Sequence, residues 1–191
     1  MNDTQYKSAL EMRDTRKDER CKALVEALYK EAFPPEERLS PVTMWFLQHR
    51  QSCHYVAFFD EGAFAGLALY IELPSCLYIA FLAVDASMRS RGIGSRILSA
   101  LAQAYPKLPV VLEIERLDEH AANYQQRVAR LRFYERNGFV RTNYLKKEGS
   151  QYYEILANGG FSDITQFKRE LRAVFFYLPL FDVIPQSSLY C

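Results

Sequence analysis

The sequence predicts an α/β (α+β) fold: a mixed, mostly antiparallel central sheet of about six to seven strands, flanked by helices, with an extra helix near the C-terminus. Three observations carry this expectation. Two β-rich runs at 54–60 and 64–72 are joined through Glu61, Gly62 and Ala63, as in an antiparallel hairpin. Residues 77–84 (LYIAFLAV) are nearly continuous apolar sequence, the pattern of a strand buried on both faces. Apolar residues recur at helical spacing on either side of these runs.

The elements follow in order. Residues 6–12 form a first strand of weak alternation. Cys21, Leu24, Val25, Leu28 and Ala32 lie on one face of a helix that Pro34 and Pro35 terminate. The stretch PPEERLSP reads as loop, and residues 41–50 suit a second helix with proline in its first turn. After the hairpin and the buried strand comes a polar turn, DASMRSRGIGS, and Ile93, Ile97, Leu98, Leu101 and Tyr105 then trace a helix. Residues 110–115 (VVLEIE) are the next strand. A helix carrying Tyr124, Val128 and Leu131 runs through Tyr134 to Asn137 and Gly138, where a glycine suits a left-handed cap. Residues 139–146 and 151–156 form a closing strand pair around Gly149 and Ser150. Beyond Gly159 and Gly160, the residues Ile164, Phe167, Leu171, Val174 and Phe175 mark the last helix.

The chain of 191 residues is 49% apolar and 25% charged, which suits one globular domain over 1–191. With 24 Lys plus Arg against 23 Asp plus Glu, the net charge of +1 excludes the basic footprint of a general nucleic-acid binder. Cys21, Cys53, Cys76 and Cys191 form no CxxC pair, so reduced, cytoplasmic thiols are expected. The first residues mix both signs of charge and do not resemble a secretory signal. No apolar run has membrane-spanning length, and no membrane partner is expected. His49, His54 and His120 are dispersed, so no metal is expected either.

Glycine is scarce, at 8 residues, which singles out the turn Arg89-Ser90-Arg91-Gly92-Ile93-Gly94-Ser95. It lies between a buried strand and a helix, where backbone N–H groups and the helix dipole favour an anion. Arg89 and Arg91 add charge-assisted contacts to phosphate. A P-loop needs GxxxxGK[ST], and no Gly-Lys pair occurs. A dinucleotide fingerprint needs a third glycine where Ile97 stands. A pyrophosphate cradle of the form [QR]xxGx[GA] remains.

Arg89, Gly92 and Gly94 in that setting resemble the acetyl-CoA motif of the GNAT superfamily of N-acetyltransferases. Residues 132–139 (RFYERNGF) are similar to the family's late segment, a helix with a tyrosine that ends at Asn-Gly-Phe, and FPPEER also occurs in many bacterial members. The resemblance covers about 21–156 and leaves 161–191 as an extension. It departs from the family where Arg127 and Arg130 replace an asparagine and a small residue; Asn123, one turn earlier, is the candidate substitute for the asparagine's cofactor contact.

The resemblance implies transfer of acetyl from acetyl-CoA, the cosubstrate, to a primary amine of a small molecule or peptide by direct attack in a ternary complex. The pantetheine then lies along the strand ending at Leu82, Ala83 and Val84, and the pyrophosphate on 89–95. A backbone N–H near Leu82 or Ala83 polarises the carbonyl. The amine must lose a proton, to a carboxylate or through water. Glu113 and Glu115 alternate with Leu112 and Ile114 on one sheet face, and Glu113, deeper in the strand, is preferred as base. Tyr134 is the family-matched donor to the departing thiolate.

Glu36, Glu37, Glu113, Glu115, Asp118 and Glu119, opposed by Arg38, Arg116 and His120, make the acceptor side lean acidic, which favours a cationic amine. Trp45, Phe46 and Tyr124 line that side or belong to the core. The aromatic extension covers the sheet, forms a homodimer interface or touches a membrane beside Lys168, Arg169 and Arg172; its prolines favour the first two. Two further readings stay open: a non-catalytic CoA-binding or interaction module on the same fold, and an acyltransferase using a longer acyl-CoA.

Overall fold

The computed structural model describes residues 9–161 and 163–189. Among the described residues thirteen helices and strands follow one another: β1 (Glu11–Asp14), α1 (Glu19–Ala32), α2 (Pro41–Gln48), β2 (Cys53–Asp60), β3 (Ala63–Glu72), β4 (Leu77–Val84), α3 (Ile93–Ala104), β5 (Val110–Glu115), α4 (Tyr124–Arg136), β6 (Val140–Glu148), β7 (Gln151–Ala157), α5 (Ile164–Val174) and β8 (Asp182–Pro185). The strands order as β1-β2-β3-β4-β5-β7-β6-β8. The β1–β2, β2–β3, β5–β7, β6–β7 and β6–β8 pairs are antiparallel, and β4–β5 is parallel. The expected mixed, mostly antiparallel sheet is therefore present, with eight strands instead of six to seven. The additional strand is β8, whose four residues carry no readable alternation. Pro185 ends it at the sheet edge, where a missing N–H is tolerated.

The chain divides into two compact units, one running through Ile71 and resuming over Ala80–Ala104, the other comprising Glu72–Ile79 and the chain from Tyr105 onward. In the first, Asp18 caps α1 by accepting from the amides of Arg20 and Cys21, and the helix buries Cys21, Val25, Leu28 and Tyr29. These pack on Tyr55, Ala57, Phe59, Leu67, Leu69 and Ala83 in one apolar cluster. Arg38 closes the other end of α1 by donating to the carbonyls of Phe33 and Lys30. Glu61 and Gly62, both at positive φ, turn the expected β2–β3 hairpin. The first strand begins later than the alternation implied: it is Glu11–Asp14, with residues 6–8 outside the described ones. It stops where the Asp14 side chain accepts from the amide of Arg16 and Thr15 Oγ1 donates to Tyr55 O.

In the second unit α5 buries Phe167, Leu171 and Val174, and Ser75 donates from its amide and hydroxyl to Glu170 at 3.0 and 2.6 Å. Tyr78 meets Phe167 edge-on at 5.5 Å. Helix α5 thus packs on its own unit, whereas Phe176, Tyr177, Leu178 and Leu180 beyond it are exposed. Lys168 and Arg172 are paired with Asp182. Gly138, at φ 82, ends α4 in the expected left-handed cap.

One glycine controls how β4 leaves the sheet. A Cβ at Gly66 would stand 2.4 Å from the carbonyl oxygen of Ala83, a backbone atom that cannot swing aside. Gly66→Ala should lower unfolding free energy by roughly 1–3 kcal/mol, the usual cost of overpacking, in urea titrations followed by circular dichroism.

Candidate active site

After Val84 the amide of Asp85 donates to Ala65 O at 3.0 Å, and its carboxylate accepts from the amide and hydroxyl of Ser87 at 2.9 and 2.5 Å. Met88 is buried at the end of the resulting helical turn, and Ile93 is buried at the start of α3. Between these anchors Arg89, Ser90, Arg91 and Gly92 are exposed. Ser90 (φ 64) and Gly92 (φ 74) both take the left-handed conformation, a feature of the backbone turns in which successive N–H groups bind anions. The strain at Ser90, a non-glycine residue, is of the kind retained at functional turns. The amide of Arg96 returns to Gly92 O at 3.1 Å, so the amides of Ile93, Gly94 and Ser95 precede the helical ladder. Arg96 itself is bidentate to Asp60 at 2.7 and 2.9 Å and anchors α3 to the end of β2.

Leu82, Ala83 and Val84 lie where β4 loses full burial: residues 77–79 are buried, and 80–82 are half-buried in succession. β4 pairs with β5 from Leu77 and Val110 to Ile79 and Leu112. The amide of Leu77 goes to Pro109 O beside β5, whereas that of Asp85 goes to β3. A regular strand would turn both to the same edge, because they are an even number of residues apart. The backbone therefore changes phase between them, as at a bulge, in the stretch that holds Leu82 and Ala83.

In the second unit Glu113 sits beside Lys146 of β6 in a direct ion pair. Lys146 also contacts Glu148 at 2.9 Å and donates to the Tyr78 hydroxyl at 3.2 Å. Burial pushes the Glu113 carboxyl above its ordinary range, and Lys146 pulls it partly back. Although burial disfavours its charge, Lys146 is held well above the usual lysine range by the Glu113 carboxylate. Glu115 faces other partners: Arg127 at 2.9 Å, Arg130 at 2.9 Å and Asn123 Nδ2 at 3.1 Å. Asn123 Oδ1 accepts from Arg127 Nε at 2.7 Å, so the proposed cofactor substitute joins β5 to α4. Tyr134 is buried between Phe133 and Phe139, with ring centroids 5.0 and 5.6 Å away, and burial pushes its phenol up to about 12.

Of the residues named for the acceptor side, Glu36 and Glu119 are exposed, and Asp118 accepts from the amide of His120. Trp45 is 62% exposed on α2, its ring tilted at 40° to that of His49 with centroids 4.5 Å apart. Lys146 and Tyr78 escaped the sequence reading. The only available signal was that an inward-facing Glu113 requires a cation, and nothing local says which one.

The model of the acetyltransferase (GNAT) family matches residues 21–139, which include the turn at 89–95 and Tyr134. This chain belongs to the GNAT acetyltransferase family. Solved structures of similar fold include a Bacteroides thetaiotaomicron protein described as a GNAT-family acetyltransferase, 24% identical, covering 88% of this chain and 99% of that one with a TM-score of 0.72. The ribosomal-protein-S18-alanine N-acetyltransferase of Escherichia coli is 16% identical over 82% and 97% of the chains, with a TM-score of 0.57. An aminoglycoside 6'-N-acetyltransferase complexed with coenzyme A is 16% identical over 80% and 99%, with a TM-score of 0.59. No curated protein matches by sequence. For a GNAT member, the left-handed turn and the amides ahead of α3 are the groups that fit a pyrophosphate. Among the described residues, no helix is long and apolar enough to cross a membrane.

Glu115 receives donors from three side chains at the β5–α4 junction. Removing it strands Arg127, only 20% exposed, as an uncompensated cation. Glu115→Ala should therefore cost about 2–4 kcal/mol in chemical denaturation.

Proposed function

We propose that this chain transfers the acetyl group of acetyl-CoA to a primary amine of a small molecule or peptide, by direct attack in a ternary complex. The observation that carries the reading is the turn at 89–95, with its two left-handed residues and its amides outside the helical ladder. Acetyl-CoA supplies a thioester, an acyl group already activated for transfer. The amides of residues 90–95 and the Arg89 guanidinium bind the pyrophosphate, and Leu82 to Val84 line the pantetheine path. The phase change in β4 supports an amide at Leu82 or Ala83 that stands outside the ladder and holds the developing oxyanion.

Glu113 accepts the proton that the amine gives up. Burial raises this carboxyl toward the range in which a base works near neutral pH. Glu115 is engaged by Arg127, Arg130 and Asn123, so Glu113 is the better candidate of the two.

Tyr134 donates a hydrogen bond to the departing sulfur. Its value of about 12 exceeds the roughly 8.5 of a thiol, so outright transfer of its proton would run uphill by about 5 kcal/mol. The phenol therefore acts by hydrogen-bonding to the sulfur as negative charge develops there, and the released CoA thiolate takes its proton from solvent. Neutralisation of Glu113 by Lys146 and of Glu115 by two arginines reduces the negative field expected of the acceptor side. A cationic acceptor would rely chiefly on Glu36 and Glu119.

Thiol release with acetyl-CoA and a panel of polyamines, aminoglycosides, amino acids and peptides tests the activity. Silence across the panel with tight CoA binding retained would leave a binding module. Once an acceptor is found, Tyr134→Phe should lower kcat by roughly 10–100-fold with little change in the KM for acetyl-CoA. Arg89→Ala should raise that KM about tenfold and leave kcat in place. An unchanged kcat in Tyr134→Phe would remove the phenol from the mechanism.

A further inference from the structure

The second unit contains a buried charge cluster that acetyl transfer as described above does not use. Lys146 is 6% exposed, an unusual place for an ammonium group. Its Nζ is in contact with Glu113 of β5, Glu148 of β6 and the Tyr78 hydroxyl of β4. Three rings surround it, Tyr78, Tyr153 and Phe181, with centroids 5.7–5.8 Å from Nζ. Tyr153 belongs to β7 and Phe181 to the segment leading into β8, so four strands and the extension close on one cation. A protonated amine buried among carboxylates and ring faces is stable only while it remains charged and paired. Asp182, the nearby carboxylate of β8, is held by Lys168 and Arg172 of α5 and does not compete for Lys146. Glu115, on the same face of β5 as Glu113, is held by Arg127 and Arg130 of α4.

The arrangement leaves the two oxygens of Glu113 unequal. Oε1 faces Lys146, whereas Oε2 is buried without a hydrogen-bond partner among the described residues. Burial alone would favour the protonated acid, which is no base. We propose that Lys146 is a positioning residue for acetyl transfer: its ammonium engages Oε1 and keeps Glu113 ionised, leaving the buried Oε2 as the atom that receives the acceptor's proton, passed on by an intervening water. Glu148, with its side chain 43% exposed, competes for the same ammonium and so moderates that hold. The inference rests on Glu113 as the base.

The acid limb of the kcat/KM profile for the amine reads the ionisation of the free enzyme's base. In Lys146→Met the cation is lost and the limb should move to higher pH by roughly 1–3 units. Lys146→Arg, which retains the charge, should bring it back to within a few tenths of a unit of wild type. Glu148→Gln relieves the competition and should move it by a few tenths of a unit the other way, to lower pH. Thermal melts by circular dichroism identify folded variants. If Lys146→Met does not fold, the limb is read in Lys146→Gln, which keeps a polar head beside Oε1 without the charge. A limb that disappears in Glu113→Gln yet stays put in the folded Lys146 and Glu148 variants overturns the role of Lys146 alone. A limb that persists in Glu113→Gln overturns Glu113 as base, and the role of Lys146 with it.

Discussion

At the exit of β4 the backbone is gripped on both sides of a turn that would not otherwise hold its shape. Gly66 has no side chain, so the Ala83 carbonyl closes onto β3, and the amide of Asp85 then reaches Ala65. Met88 and Ile93 are buried before and after the exposed residues, and the Arg96–Asp60 pair fixes the helix that follows. Ser90 tolerates a left-handed backbone because its neighbours are already fixed. The turn is thus held in shape by its flanks, and amides already in place bind an anion without first paying to be ordered.

The second unit solves a different problem, that of keeping carboxylates inside. Glu154 is fully buried and is met by Arg141 through two nitrogens. Glu115 is met by two arginines, and Glu113 by one lysine that it shares with Glu148. Only Glu113 retains an oxygen without a hydrogen-bonding partner in this set. That difference sets Glu113 apart from two carboxylates that hold elements together. Its cost in stability is tolerated because Lys146 remains beside it.

Local features were legible in the sequence, and long-range ones were not. The turn at 89–95 could be read because its strand, glycines, arginines and helix are contiguous. The hairpin at Glu61 and Gly62 and the cap at Gly138 could be read for the same reason. β8 could not, since four residues become a strand only by pairing with β6 from nearly forty positions away. The weak alternation over 6–12 does not locate the strand at Glu11–Asp14, whose end is set by Thr15 reaching Tyr55. Lys146 read as the last residue of an ordinary strand. Its meaning depends on Glu113, which lies 33 residues earlier. The bonds of Asn123 to Glu115 and Arg127 join segments that no local sequence pattern links.

The central claim is that the backbone turn at 89–95 captures the pyrophosphate of CoA. Calorimetric titration of the full chain with CoA and with pantetheine, which shares its thiol arm but lacks the nucleotide and both phosphates of the bridge, tests it most directly. Loss of several charge-assisted hydrogen bonds should weaken pantetheine by at least about 100-fold, or roughly 3 kcal/mol. Equal affinity for the two would contradict the account, because the turn would then contribute nothing to binding.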